Sequence, residues 1–222
     1  MSENGDSVAA VRRQLAADGF HGELLGAGDA GYDDARSIWN AMVDKRPGLI
    51  AKAADRDDVV AVVNAAREHG MPLAVRAGGH GIIGSAIADE SGVTLDRTLM
   101  RGVEVDTENK IVHVEGGCKL GDVDAATAEY GLAVPAGIVS DTGVPGLALG
   151  GGIGWLSRKH GLTCDNFVSL EVVTADGEVI EVHEGTHPDL FWALRGGGGN
   201  FGVVTRFSFQ AYDFGPTMRF GA

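Results

Sequence analysis

The sequence predicts an α+β fold in two parts, about 45–100 and 101–215, behind a helical lead-in over 1–44. Three observations predict it. A strand–helix–strand pattern runs from Pro47 to Val75, about the length a parallel crossover requires. Alternating apolar and polar residues mark hairpins over 102–114 and 167–182. The chain has 35 glycines, roughly twice the usual share of about 7%, with no collagen-like period, and fifteen of them lie in loops at 76–85, 140–154 and 196–202.

Val8, Val11 and Leu15 recur at helical spacing, so 7–18 reads as an amphipathic helix. Residues 26–31 spell GxGxxG. The segment before them is too short and polar for the first strand of a dinucleotide fold, and Tyr32-Asp33-Asp34 puts acid where a pyrophosphate would sit. A loop leading into a helix over 35–42 is the better reading. Leu49-Ile50-Ala51 is a strand. Asp55 caps the next helix, with Asp58 at its third position and Val59, Val62, Val63 and Ala66 on one face. Gly70 and Met71-Pro72 end it, and Leu73-Ala74-Val75 is the following strand. A further strand is expected at 92–96 and a helix at 119–130, ended by Gly131. The apolar residues threaded through 139–156 argue for a buried turn and against a solvated linker. Asp176-Gly177 is a hairpin turn. A helix at 189–195 and a strand at 203–209 close the pattern. Because a strand follows Gly197–Gly202, that second GxGxxG also fails as a dinucleotide fingerprint.

The net charge is −13, with 31 acidic against 18 basic residues. That balance disfavours nucleic acid and anionic membranes as partners. It suits a surface adapted to high salt and an ordinary acidic protein equally. Two cysteines, Cys118 and Cys164, are too few for a disulfide framework. The polar, acidic start does not resemble a signal peptide, and no run reaches the 18 or so apolar residues of a membrane span; a cytoplasmic protein is expected. GxxxxGK[ST] and GxSxG are both absent. His183 and His187 stand in HxxxH spacing on a loop, and no metal site is expected there.

The chemistry concentrates in Arg76–Ser85, which carries one cation, four glycines, one imidazole and one hydroxyl. Glycine lets backbone approach a ligand closely, and successive N–H groups in such a turn form an anion cradle. Together with 140–154 and 196–202, this loop could enclose an extended, anionic, largely flat ligand. The alternative is a glycine turn with a surface His.

Four stretches carry a family resemblance: RAGGHGIIG from Arg76, VSDTGVPGLALGGGIGWLSRKHGLTCDN from Val139, VVTADGEV from Val172, and DLFWALRGGGGNFGVVT from Asp189. In this order they resemble the FAD-binding domain of the vanillyl-alcohol oxidase / p-cresol methylhydroxylase superfamily, most nearly the berberine bridge enzyme-like oxidoreductases. The resemblance covers about 32–215. It implies two α/β subdomains with FAD between them, and a hydride taken from an alcohol or similar C–H donor. It implies that Arg76, Ala77, Gly78, Gly79, His80, Gly81 and Ser85 form one wall of the FAD site. Val139, Ser140, Thr142, Gly143, Gly146, Gly150, Gly151, Gly152 and Gly154 would form the second, with Asn166 and Val172 near the adenosine. His80 stands where that family bonds FAD through its 8α carbon. A second link, from a Cys to flavin C6, falls at Val139 here, so one covalent bond is expected. The family continues into a substrate domain that supplies the catalytic base. Residues 216–222 are expected to begin that domain, and Tyr32, Tyr130 and Tyr212 match no catalytic motif. The expected partners are FAD and a small organic substrate; a partner chain or second copy could cover the open flavin face. A non-catalytic flavin-binding module and a flavin storage protein are the alternatives.

Overall fold

The computed structural model describes residues 3–215; the expected start of a further domain at 216–222 lies outside them. Two sheets organise the chain. The first has strand order β1 (Glu23–Leu25), β2 (Leu49–Lys52), β4 (Val93–Asp96), β3 (Leu73–Arg76). β2, β4 and β3 are parallel, with Leu49 and Leu73 both opposite Val93, and β1 is an antiparallel edge. The strand–helix–strand unit forms as the sequence indicates, but β4 inserts between its two strands. The helix of that unit, α3 (Arg56–Glu68), begins where Asp55 accepts the Asp58 N–H at 2.9 Å. Buried Asp58 accepts the N–H groups of Ala54 (2.9 Å) and His21 (2.8 Å), so its charge is satisfied. Val59, Val62 and Val63 pack with Val11 and Leu15 of α1 (Glu3–Ala17), with β2 and β4, and with Val173 and Val203 of the second sheet.

The second sheet is antiparallel throughout: β5 (Val103–Asp106), β6 (Ile111–Glu115), β10 (Val203–Gln210), β8 (Phe167–Val173), β9 (Val179–Val182). Its inner face carries Leu170, Phe207 and Phe209 into a core closed by α4 (Leu120–Ala128) and α7 (Pro188–Leu194). Among the described residues, no helix is long and apolar enough to cross a membrane.

Two segments depart from the sequence expectation. The helix expected over 35–42 lies instead at α2 (Tyr32–Arg36). The Arg76 guanidinium takes the carbonyls of Ala35 and Ser37, and the Trp39 N–H, which would continue the helix, donates to Gly79 O at 3.0 Å. Residues 37–43 therefore run as a strap along the first glycine loop. The 139–156 stretch, expected as a buried turn, holds a short helix, α5 (Val144–Leu149). Pro145 sits in its first turn, where no N–H is needed.

Candidate functional site

A cavity of about 720 Å³ opens between the two sheets. One wall is the loop after β3, with Ala77, Gly78, Gly79, His80, Gly81 and Ser85. The second is Thr142, Gly143 and the Gly146 side of α5. The third is Gly198–Asn200 with Gly202, and the N-terminal ends of β3 and β10 line it further. The first two walls touch: a Cβ on Gly78 would lie 2.3 Å from the Gly143 nitrogen, so neither position admits a side chain. The third wall hangs from the second, since the N–H groups of Gly196 and Gly198 both donate to Leu149 O.

The lining carries two titratable side chains, His80 and Arg97, and no carboxylate, in a protein of net charge −13. His80 is largely sheltered, stacked on Trp39 with ring centroids 5.8 Å apart, and its Nε2 lies 3.5 Å from Asp141 Oδ2. The other Asp141 oxygen receives the Lys119 ammonium. Lys119 first, and His80 second, hold the Asp141 carboxyl below its ordinary value, so it is ionised at neutral pH.

Nine of the eighteen residues expected at the site line the cavity; the other nine do not. Arg76 is turned away, paired with buried Asp96 at 2.9 Å and bonded to the strap, so it shapes the loop from behind. Gly150 ends α5, and Gly151 and Gly152 bond to Cys164 and Thr163 on the far side. A Cβ on Gly154 would lie 1.6 Å from Ala136 O, so that glycine serves backbone packing. Val139 is half-exposed outside the cavity, and the Ser140 carbonyl bonds Gly121. Asn166 is buried, bonding His160 O, Leu162 O and the Tyr212 hydroxyl. Val172 lies in the core of β8. Sequence reasoning missed Arg97, the strap at 37–43 and the ends of β3 and β10.

A family model described as an FAD binding domain matches residues 47–183. (R)-6-hydroxynicotine oxidase of Paenarthrobacter nicotinovorans is 40% identical over 91% of this chain and 44% of its own length. The chain belongs to the FAD binding domain family, and the relatives it matches are FAD-linked oxidoreductases and oxidases. Among solved structures, the Physcomitrella patens BBE-like 1 protein aligns with a TM-score of 0.86 at 29% identity, over 91% of this chain and 44% of that one. Glucooligosaccharide oxidase from Acremonium strictum, described as carrying a 6-S-cysteinyl, 8α-N1-histidyl FAD, aligns with a TM-score of 0.85 at 32% identity, over 92% and 43%. The chain therefore spans less than half the length of the curated relatives it matches.

The cavity of this FAD binding domain suits a dinucleotide on its own terms. Gly81, Gly146 and Gly199 line it, have no unusual φ, and would meet no protein atom within 4 Å if given a Cβ. Packing does not require glycine there; room for a ligand against the backbone does. The absence of carboxylates suits an anion.

Proposed function

We propose that this chain is the FAD-holding half of an FAD-dependent oxidoreductase, with 45–215 as the cofactor-binding unit. The observation that carries the reading is the carboxylate-free, glycine-walled cavity with a single imidazole. Bound FAD would supply a hydride acceptor for an alcohol-type or similar C–H donor. The chain's part is to bind and orient it. Backbone N–H groups of 77–81 would take the pyrophosphate, and Thr142, Gly143 and Gly146 the facing side. His80 would bond the 8α carbon in place of one methyl hydrogen, with the two electrons and two protons released passing to dioxygen. The carboxylate of Asp141 facing Nε2 favours the tautomer protonated there, which leaves the Nδ1 lone pair free as the nucleophile. Val139, at the position of the second link, has no thiol, so one covalent bond forms.

A second reading is a flavin-binding module whose substrate face another chain or a second copy completes. Trp39, Met42, Ile82 and Ile83, all exposed beside the first wall, favour it. Acid denaturation followed by in-gel fluorescence tests the cofactor assignment: flavin should stay on the protein band, and free flavin alone would refute the His80 bond. Reduction of the bound flavin by an alcohol panel then separates the two readings. Bleaching of the flavin absorbance identifies an enzyme; an unchanged spectrum with every donor identifies the module.

A further inference from the structure

Arg97 follows β4 directly, and its N–H donates to Arg76 O at 3.0 Å, which sets it beneath the start of the 77–81 loop. It is 4% exposed and lines the cavity. One guanidinium nitrogen reaches Val204 O; the buried Nε has no hydrogen-bond partner. The neighbouring Asp96 attracts it but makes no ion pair with it. Asp96 gives one oxygen to Arg76 at 2.9 Å and the other to the Thr98 N–H at 2.7 Å. No ion pair to Arg97 occurs among the described residues. Burial pulls its pKa down to about 10, so the side chain is still a cation at neutral pH. A buried charge without a counter-ion is strongly unfavourable, and the usual remedy is a partner of opposite sign. Here the open neighbour is the cavity.

We propose that the Arg97 guanidinium is an anion anchor built into the cavity wall, holding a phosphoryl oxygen of the bound dinucleotide. The assignment rests on the FAD reading above and adds a charged contact to what is otherwise a backbone cradle. It makes the phosphates of the cofactor the neutralising partner of a cation that the protein leaves unpaired. It also separates two quantities that usually fall together. Removing the charge relieves the ligand-free protein of an unpaired buried cation while weakening the hold on the ligand.

The test uses the full chain with His80→Ala, so that cofactor binding is reversible. Arg97→Met and Arg97→Lys are compared with this parent by calorimetric titration with FAD and with ADP, and by melting without ligand. Arg97→Met should weaken both FAD and ADP at least tenfold while the ligand-free protein melts no lower than the parent. Arg97→Lys should recover most of the affinity. Unchanged FAD and ADP affinity in Arg97→Met would overturn the proposal. So would an affinity loss accompanied by a lower ligand-free melting temperature or failure to fold, since that marks a structural cation. If the parent itself binds neither ligand, the FAD reading falls and this assignment falls with it.

Discussion

The loop at 77–85 and the triple-glycine stretch at 150–154 are both glycine-rich, and Gly81 and Gly154 are glycines for opposite reasons. Gly81 has open space where a side chain would go, and with its neighbours it forms the face of the cavity. Gly154 has a carbonyl at 1.6 Å from where its Cβ would stand, and none of 150–154 reaches the cavity. Gly81 leaves room for a ligand; Gly154, like Gly78 against Gly143, leaves room for the protein. A glycine thus identifies close approach, and only the neighbouring atoms say what is approaching.

That contrast can be broken by substitution. The largest expected effect is at His80. His80→Ala should abolish acid-stable flavin completely while leaving the melting temperature of the ligand-free protein within a few degrees of wild type. In-gel fluorescence after acid, with calorimetry on the same sample, checks both halves. Persistent acid-stable flavin would move the attachment point away from the first wall. Next comes Gly154→Ala. Its added methyl must displace backbone, so destabilisation of about 3 kcal/mol or more is expected from denaturant titration. Stability within about 0.5 kcal/mol of wild type would show that the second cluster does not serve packing.

A middle effect is expected at the glycines that face the cavity. Gly81→Ala and Gly146→Ala should each weaken FAD binding by about tenfold, the equivalent of about 1.4 kcal/mol. Gly146 lies in α5, where Ala is the better helix former by up to about 1 kcal/mol, so Gly146→Ala should melt at or above the wild-type temperature. Stability and affinity should thus move in opposite directions at 146, whereas at 154 any loss of affinity should follow loss of the fold. Paired melting and titration curves for the two variants would show whether the division holds.

The sequence made legible whatever depends on neighbours in the chain. The Asp55 cap, the valine face of α3 and the hairpin turn at Asp176-Gly177 are all local patterns, and all form as read. Longer-range choices were not legible. β1 is three residues long and is fixed by its pairing with β2. The strap at 37–43 exists because Arg76 and Gly79 compete for the bonds that would extend α2. Arg97 reads in the sequence as an ordinary surface cation after a strand, and only the approach of β10 buries it. Gly150, Gly151, Gly152 and Gly154 fall on the cofactor wall only through the family resemblance, since permissiveness looks the same in sequence whether a ligand or a carbonyl is the neighbour.

The smallest expected effect lies where the two glycine-rich walls meet chemically, at Asp141 and His80. Asp141 belongs to the second stretch and His80 to the first, with 3.5 Å between their polar atoms. The Asp141 side chain is two-thirds exposed, so the contact is screened and its influence on His80 is modest. Its depressed pKa means the carboxylate is present above the ordinary carboxylate range and is lost only as the pH falls through the lowered value. Asp141→Asn removes the charge but keeps the shape. It should slow covalent attachment by about threefold to tenfold, below the roughly hundredfold or more of a well-positioned acid–base partner because the contact is long and screened, without changing the final yield. Lys119→Met should act in the opposite direction or not at all, because it releases an Asp141 oxygen that now pairs with the ammonium. Mixing ligand-free protein with FAD and withdrawing acid-quenched samples over time gives the rate. Equal slowing by Asp141→Asn and Lys119→Met would assign the cluster to holding the walls together rather than to setting the imidazole tautomer.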